Sequence, residues 1–215
     1  LNVGRQLVDS LTDQDPQTAE IVPWLAERWE ISDDSRQFTF HLRDGVTFAD
    51  GAVLDAAAVK ANFEAIIRLG ALAQLAGPYL AGLESIEVTG PLSVRITFKQ
   101  ANAQFLQASS TMSLGLLSPA TLARSADERC QGALVGSGPF TVKSFEHNKL
   151  VRLDSRADYA WQSSLAEHQG RAWLDAIEFH ILPESGVRLG SLLSGQIDVN
   201  TSVLVQDEAV LDAQG

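Results

Sequence analysis

Phe38, Phe40 and Leu42 alternate with Thr39, His41 and Arg43. A period of two places the three apolar side chains on one face of a half-buried strand. Directly after it, Asp44-Gly45 and Asp50-Gly51 are turn dipeptides that bracket Val46-Thr47-Phe48. Two further stretches read as hairpins. Ile86-Glu87-Val88 faces Val94 to Phe98 across Gly90-Pro91, and Phe140 to Phe145 faces Leu150 to Leu153 across His147-Asn148. Between them, Ala58, Val59, Asn62, Phe63, Ile66 and Ile67 follow helical spacing, with Asp55 as N-cap and Gly70 as stop. Ile21 to Trp29 reads as a short helix with Pro23 in its first turn, followed by a turn at Ser32 to Ser35. Near the end come a strand from Ile177 to Leu182, a helix from Glu184 to Leu193 stopped by Gly195, and a short strand at Ile197-Asp198-Val199. Hairpins predominate over βαβ repeats, so the expected class is mixed α/β of an α+β-like kind.

The 215 residues are 45% hydrophobic and 20% charged, enough for a core that buries about 70% of the unfolded surface. That content excludes disordered and collagen-like classes, and no apolar run is long enough to span a membrane as a helix. Acidic residues outnumber basic ones 27 to 16, for a net charge of −11. Such a field repels phosphate backbones and anionic membranes, so no nucleic-acid partner is expected. The single Cys130 forms no internal disulfide and sits in the polar stretch Asp127-Glu128-Arg129-Cys130-Gln131 as an inert thiol. Because the chain starts at Leu1, it reads as a processed or excised piece whose leader is already gone.

Sites of known chemistry are sparse. Gly136-Ser137-Gly138-Pro139-Phe140 is Gly-rich, but Pro139 leads into a strand where a phosphate cradle needs Lys-Ser/Thr opening a helix, so it reads as a structural turn. His41, His147, His168 and His180 lack metal-ligand spacing, and no metal or cofactor is expected. No nucleophile elbow is present, and the pairs Asp13/Asp15 and Asp33/Asp34 lie among turn residues. Asn200-Thr201-Ser202 matches a glycosylation pattern that is meaningful only in a eukaryotic secretory context. Trp24 and Trp29 are expected to pack in the core. No catalytic set assembles, so the expectation is a protein that is not an enzyme.

Several blocks in order resemble one family. Val22-Pro23-Trp24-Leu25-Ala26-Glu27-Arg28-Trp29, followed by Phe38-Thr39-Phe40-His41-Leu42-Arg43-Asp44-Gly45-Val46-Thr47-Phe48-Ala49-Asp50-Gly51, is similar to the signature of bacterial family 5 extracellular solute-binding proteins. These are the oligopeptide-, dipeptide- and nickel-binding components of ABC importers. Val135 to Phe140, Leu153 to Trp161, Ile177 to Phe179 and Arg188 to Asp198 resemble the family's later blocks, with Ser137 for Thr, Gln196 for Glu and one residue inserted before Trp161.

The resemblance implies a two-lobe type II periplasmic-binding fold that traps ligand by hinge closure. This chain would be most of the first lobe. Residues 1–43 and 136–200 would form its core, 44–135 an inserted subdomain, and 201–215 the start of the crossover to the second lobe. Trp29, Leu42, Arg43, Phe48, Gly51, Gly136, Gly138, Pro139, Gly195 and Asp198 would build the scaffold. On a core reading, Trp29→Ala costs about 3–5 kcal/mol. Leu11, Thr12, Tyr79, Met112 and Ser113 would face ligand, Met112 through a soft apolar contact. Implied partners are a peptide or similar small solute and the importer's permease subunits, with the protein monomeric and periplasmic or at the cell surface. The alternative is a ligand-sensing domain of the same fold in a cytoplasmic transcription regulator.

Overall fold

The computed structural model describes residues 2–213. In chain order it runs α1 (Asn2–Leu7), β1 (Thr12–Gln14), β2 (Ile21–Pro23), β3 (Ala26–Ile31), β4 (Gln37–Leu42), α2 (Ala56–Leu69), β5 (Leu83–Gly90) and β6 (Ser93–Phe98). Three short helices follow, α3 (Phe105–Ala108), α4 (Pro119–Leu122) and α5 (Ala126–Cys130). The last part holds β7 (Phe140–Glu146), β8 (Leu150–Ser155), β9 (Ala176–His180), α6 (Ser185–Leu193) and α7 (Glu208–Asp212).

Strands form a β1–β2 pair, a four-stranded antiparallel sheet in the order β3-β4-β6-β5, and a three-stranded sheet in the order β7-β8-β9. The four-stranded sheet takes β3 and β4 from residues 1–43 and β5 and β6 from 44–135, so its hydrogen-bond ladder crosses the division expected at 43/44. The alternation of β4 works as its period dictates. Phe38, Phe40 and Leu42 are buried while Gln37, Thr39 and His41 are not. Phe38 meets Phe98 and Phe105 edge-on, with centroids 6.0 and 5.1 Å apart. α2 covers that face with Val59 and Phe63, its N-terminus capped by Asp55, which accepts from the Ala58 amide at 2.8 Å.

The expected helix over Ile21 to Trp29 is two strands. Its amides are satisfied across the chain, not four residues back: Leu25 N–H donates to Ser10 C=O, and Ala26 N–H to Leu11 C=O at 2.8 Å. Pro23 sits opposite Thr12 in the β1–β2 pair, where no amide is demanded of it. Apolar residues at Ile21, Val22, Trp24 and Leu25 suit either structure, and the tertiary partners decide. Trp29 lies on an edge strand and is only partly buried, while Phe40 directly opposite it is fully buried. The expected strand at Ile197-Asp198-Val199 is absent. Gly195 ends α6 with φ +70°, and the amides of Gln196 and Ile197 both turn back to Ser191 C=O. Asp198 is exposed there.

Candidate functional site

A buried polar hub ties distant segments of the chain together. Asp9, wholly buried, accepts from Tyr159 Oη at 3.1 Å and Trp161 Nε1 at 3.0 Å, and its own amide donates to Ser137 Oγ at 3.0 Å. Burial pushes its carboxyl up to about 6 against the opposing pull of these donors. Arg156 is 5% exposed and donates to the carbonyls of Thr47, Ser137 and Phe48 while pairing with Asp158. Thus the Asp44–Gly51 turns, the Gly136–Pro139 turn and the Tyr159–Trp161 block meet at one place. Neither Asp9 nor Arg156 was singled out by the sequence, since the Asp9 partners Tyr159 and Trp161 and the Arg156 partners Thr47 and Phe48 lie more than a hundred residues away.

A groove of about 490 Å³ opens along α2, with none of these hub side chains in its lining. One wall is the outer face of α2 (Ala65, Ile66 and Leu69) and the loop Leu72 to Ala76; the other is Met112, Ser113, Gly115 and Leu117, closed by Leu122 and Arg129. Asn62 ties the walls together. Its amide nitrogen donates to Leu117 C=O and its amide oxygen accepts from Leu117 N–H, both at 2.9 Å. Met112 packs against Gly4 of α1, so closely that a Cβ on Gly4 would stand 2.7 Å from Sδ. It therefore both joins the smaller apolar cluster under β7 and β8 and lines the groove.

Of the five residues expected to face ligand, Met112 and Ser113 come together here. Tyr79 is partly exposed in the turn Gly77–Leu80. Gly77, Pro78 and Leu80 of that turn line a neighbouring depression of about 390 Å³ that shares Ile66, Ala73 and Gln74 with the groove. Leu11 and Thr12 face no opening. Both are fully buried, Leu11 C=O is taken by Ala26, and Thr12 pairs with Ser109 through backbone and hydroxyl. The chain leaves α1 inward, toward the core, which a reading of adjacency to that helix does not reveal. What the sequence missed is the apolar loop Leu72 to Leu75 and Arg129, which stood inside a polar stretch that looked merely solvated. Among the described residues, no three His, Cys, Asp or Glu side chains gather as a metal cage.

The fold is that of a periplasmic binding protein. It superposes on the PBP AgaA in complex with agropinic acid, from A. tumefaciens R10, with a TM-score of 0.82 at 26% identity, over 99% of this chain and 41% of that one. Residues 20–215 match the model for bacterial extracellular solute-binding proteins, family 5 Middle, and the chain belongs to that family. Relatives include a probable D,D-dipeptide-binding periplasmic protein of Escherichia coli K12, 29% identical over 91% of this chain and 36% of that protein. A glutathione-binding protein of Salmonella paratyphi A is 29% identical over 87% and 35%. The chain therefore spans little more than a third of the length of these relatives, which are named as binding proteins and not as enzymes.

Proposed function

We propose that this chain supplies one lobe of a periplasmic receptor that hands a peptide or similar small solute to an ABC importer. The observation that carries the reading is the family match over residues 20–215. Met112 and Ser113, in a groove whose walls are mostly apolar, support it. A volume of about 490 Å³ is of the size used for small-molecule ligands. An open groove on one lobe buries only one side of a ligand, so tight binding needs a second lobe to close over it, shifting an open–closed equilibrium. Tyr79, in the turn whose Gly77, Pro78 and Leu80 line the adjoining depression, would contact the same ligand. The permease subunits would then read the closed form. The work is binding and release, with no bond made or broken in the solute.

Neither the family nor the relatives named above point to a transcription regulator, and no feature of the fold favours that alternative. Small-angle scattering of the full-length gene product tests the proposal. A dipeptide or tripeptide that binds is expected to shrink the radius of gyration as the lobes close. A ligand that binds with no change in dimensions contradicts trapping by closure.

A further inference from the structure

Among the described residues, Arg129 is the one ionisable side chain that lines the groove, and no Asp or Glu accompanies it. Its Nε is buried and has no hydrogen-bond partner, and it forms no ion pair among the described residues. Other arginines are committed. Arg5, Arg36, Arg95 and Arg152 pair with carboxylates, and Arg43, Arg124 and Arg188 donate to backbone carbonyls. Arg68 also has no partner among the described residues, but it is exposed near the end of α2 and is not part of the groove lining. The acid nearest in sequence is engaged too. Glu128 accepts from the Ser125 amide and hydroxyl, both at 2.8 Å, closing a capping box at the start of α5. In a chain of net charge −11, a groove with one free cation and no anion is an exception.

We infer that Arg129 selects ligands that carry a carboxylate, their apolar body lying along Leu69, Leu72, Leu75 and Met112. This rests on the reading of the groove as a wall of the ligand cleft, and it adds the chemistry of what is read there. A guanidinium presents two parallel N–H donors to a carboxylate. With Nε buried in a mostly apolar groove, the head is partly stripped of water, which strengthens such a pair. An amide in place of the acid offers one acceptor and no charge.

The test uses the full-length gene product and two probes, N-acetyl-leucyl-leucine and its C-terminal amide, followed through the backbone amide resonances of Leu75, Ser113 and Gly115. The acid is expected to bind at least about tenfold more tightly than the amide. Arg129→Gln should bring the acid down to the level of the amide, and Arg129→Lys should keep part of the difference. Added salt should narrow the gap. Equal affinity of acid and amide in the wild-type chain overturns the role of Arg129 while leaving the groove as a ligand wall. An acid-to-amide ratio unchanged in Arg129→Gln does the same. If neither probe shifts those three resonances, the groove assignment itself falls, and the importer reading is then judged separately by the scattering experiment. Should Arg129→Gln fail to fold, the wild-type ratio alone decides.

Discussion

Gly136 lies so close to Leu7 that a Cβ added to it would stand 2.0 Å from the Leu7 carbonyl oxygen. The same carbonyl accepts the Gly138 amide at 2.9 Å, so the Gly136–Pro139 turn is clamped onto the end of α1. Here glycine is required by close approach of two backbones, not by turn conformation.

Gly136→Ala is therefore expected to cost about 3 kcal/mol or more, beyond the usual penalty for one extra methyl group, because backbone must move. Urea unfolding reads it. Gly190→Ala in α6 is the contrast: open space surrounds it, and helix propensity should gain about 0.5–1 kcal/mol. A Gly136→Ala chain as stable as wild type would contradict the clamp.

Asp9 makes stability depend on pH in an unusual direction. Its carboxyl is raised to about 6 in the folded state from an ordinary 3.8. Between those values the folded chain holds the proton more tightly than the unfolded one, so this group's stabilising contribution is full below about pH 4 and is lost as pH rises through about 6. The difference is on the order of 3 kcal/mol. Exposed carboxylates held low by hydrogen bonds, such as Glu30 and Asp158, act the opposite way. The comparison is thus with Asp9→Asn, whose stability relative to wild type should improve between pH 4 and pH 7. A relative stability that stays flat across that window would show that Asp9 is not strained by burial.

Trp29 and Phe40 face each other in the register of β3 and β4, yet only Phe40 is fully buried. Phe40→Ala should cost about 3–5 kcal/mol, as large-to-small core changes do. Trp29→Ala, on the edge strand, should cost roughly half that, less than its place in the sequence signature suggests. Equal losses in thermal unfolding would restore Trp29 to the core.

Asn62 is buried and joins α2 to the Met112–Leu117 wall. Replacing it with Leu would orphan the N–H and C=O of Leu117, at about 1–3 kcal/mol for each buried group left unpaired. It should also move the Met112–Leu117 wall. Loss of protection of the Leu117 amide in hydrogen exchange, with the β4 amides unchanged, is the expected signature.

How far the sequence reaches follows from the range of each interaction. The β4 alternation, the Asp55 cap and both later hairpins are local, and local patterns survive translation into structure. The segment Ile21 to Trp29, expected as a helix, and the run Ile197 to Val199, expected as a strand, differ in the structure because long-range or capping partners claim amides in them. Met112, which the family resemblance implied would face ligand, lines the groove. Arg129 was not legible, since a free cation is distinguished only by the absence of neighbours, which no linear sequence displays.

One comparison bears most directly on the account that this chain is one wall of a two-walled trap. The same peptide is titrated by calorimetry into the full-length gene product and into the 215-residue chain alone. Losing one wall is expected to remove about 3 kcal/mol or more, so the chain alone should bind at least about a hundredfold more weakly. Binding of equal strength by both, or sub-micromolar binding by the chain alone, would contradict it.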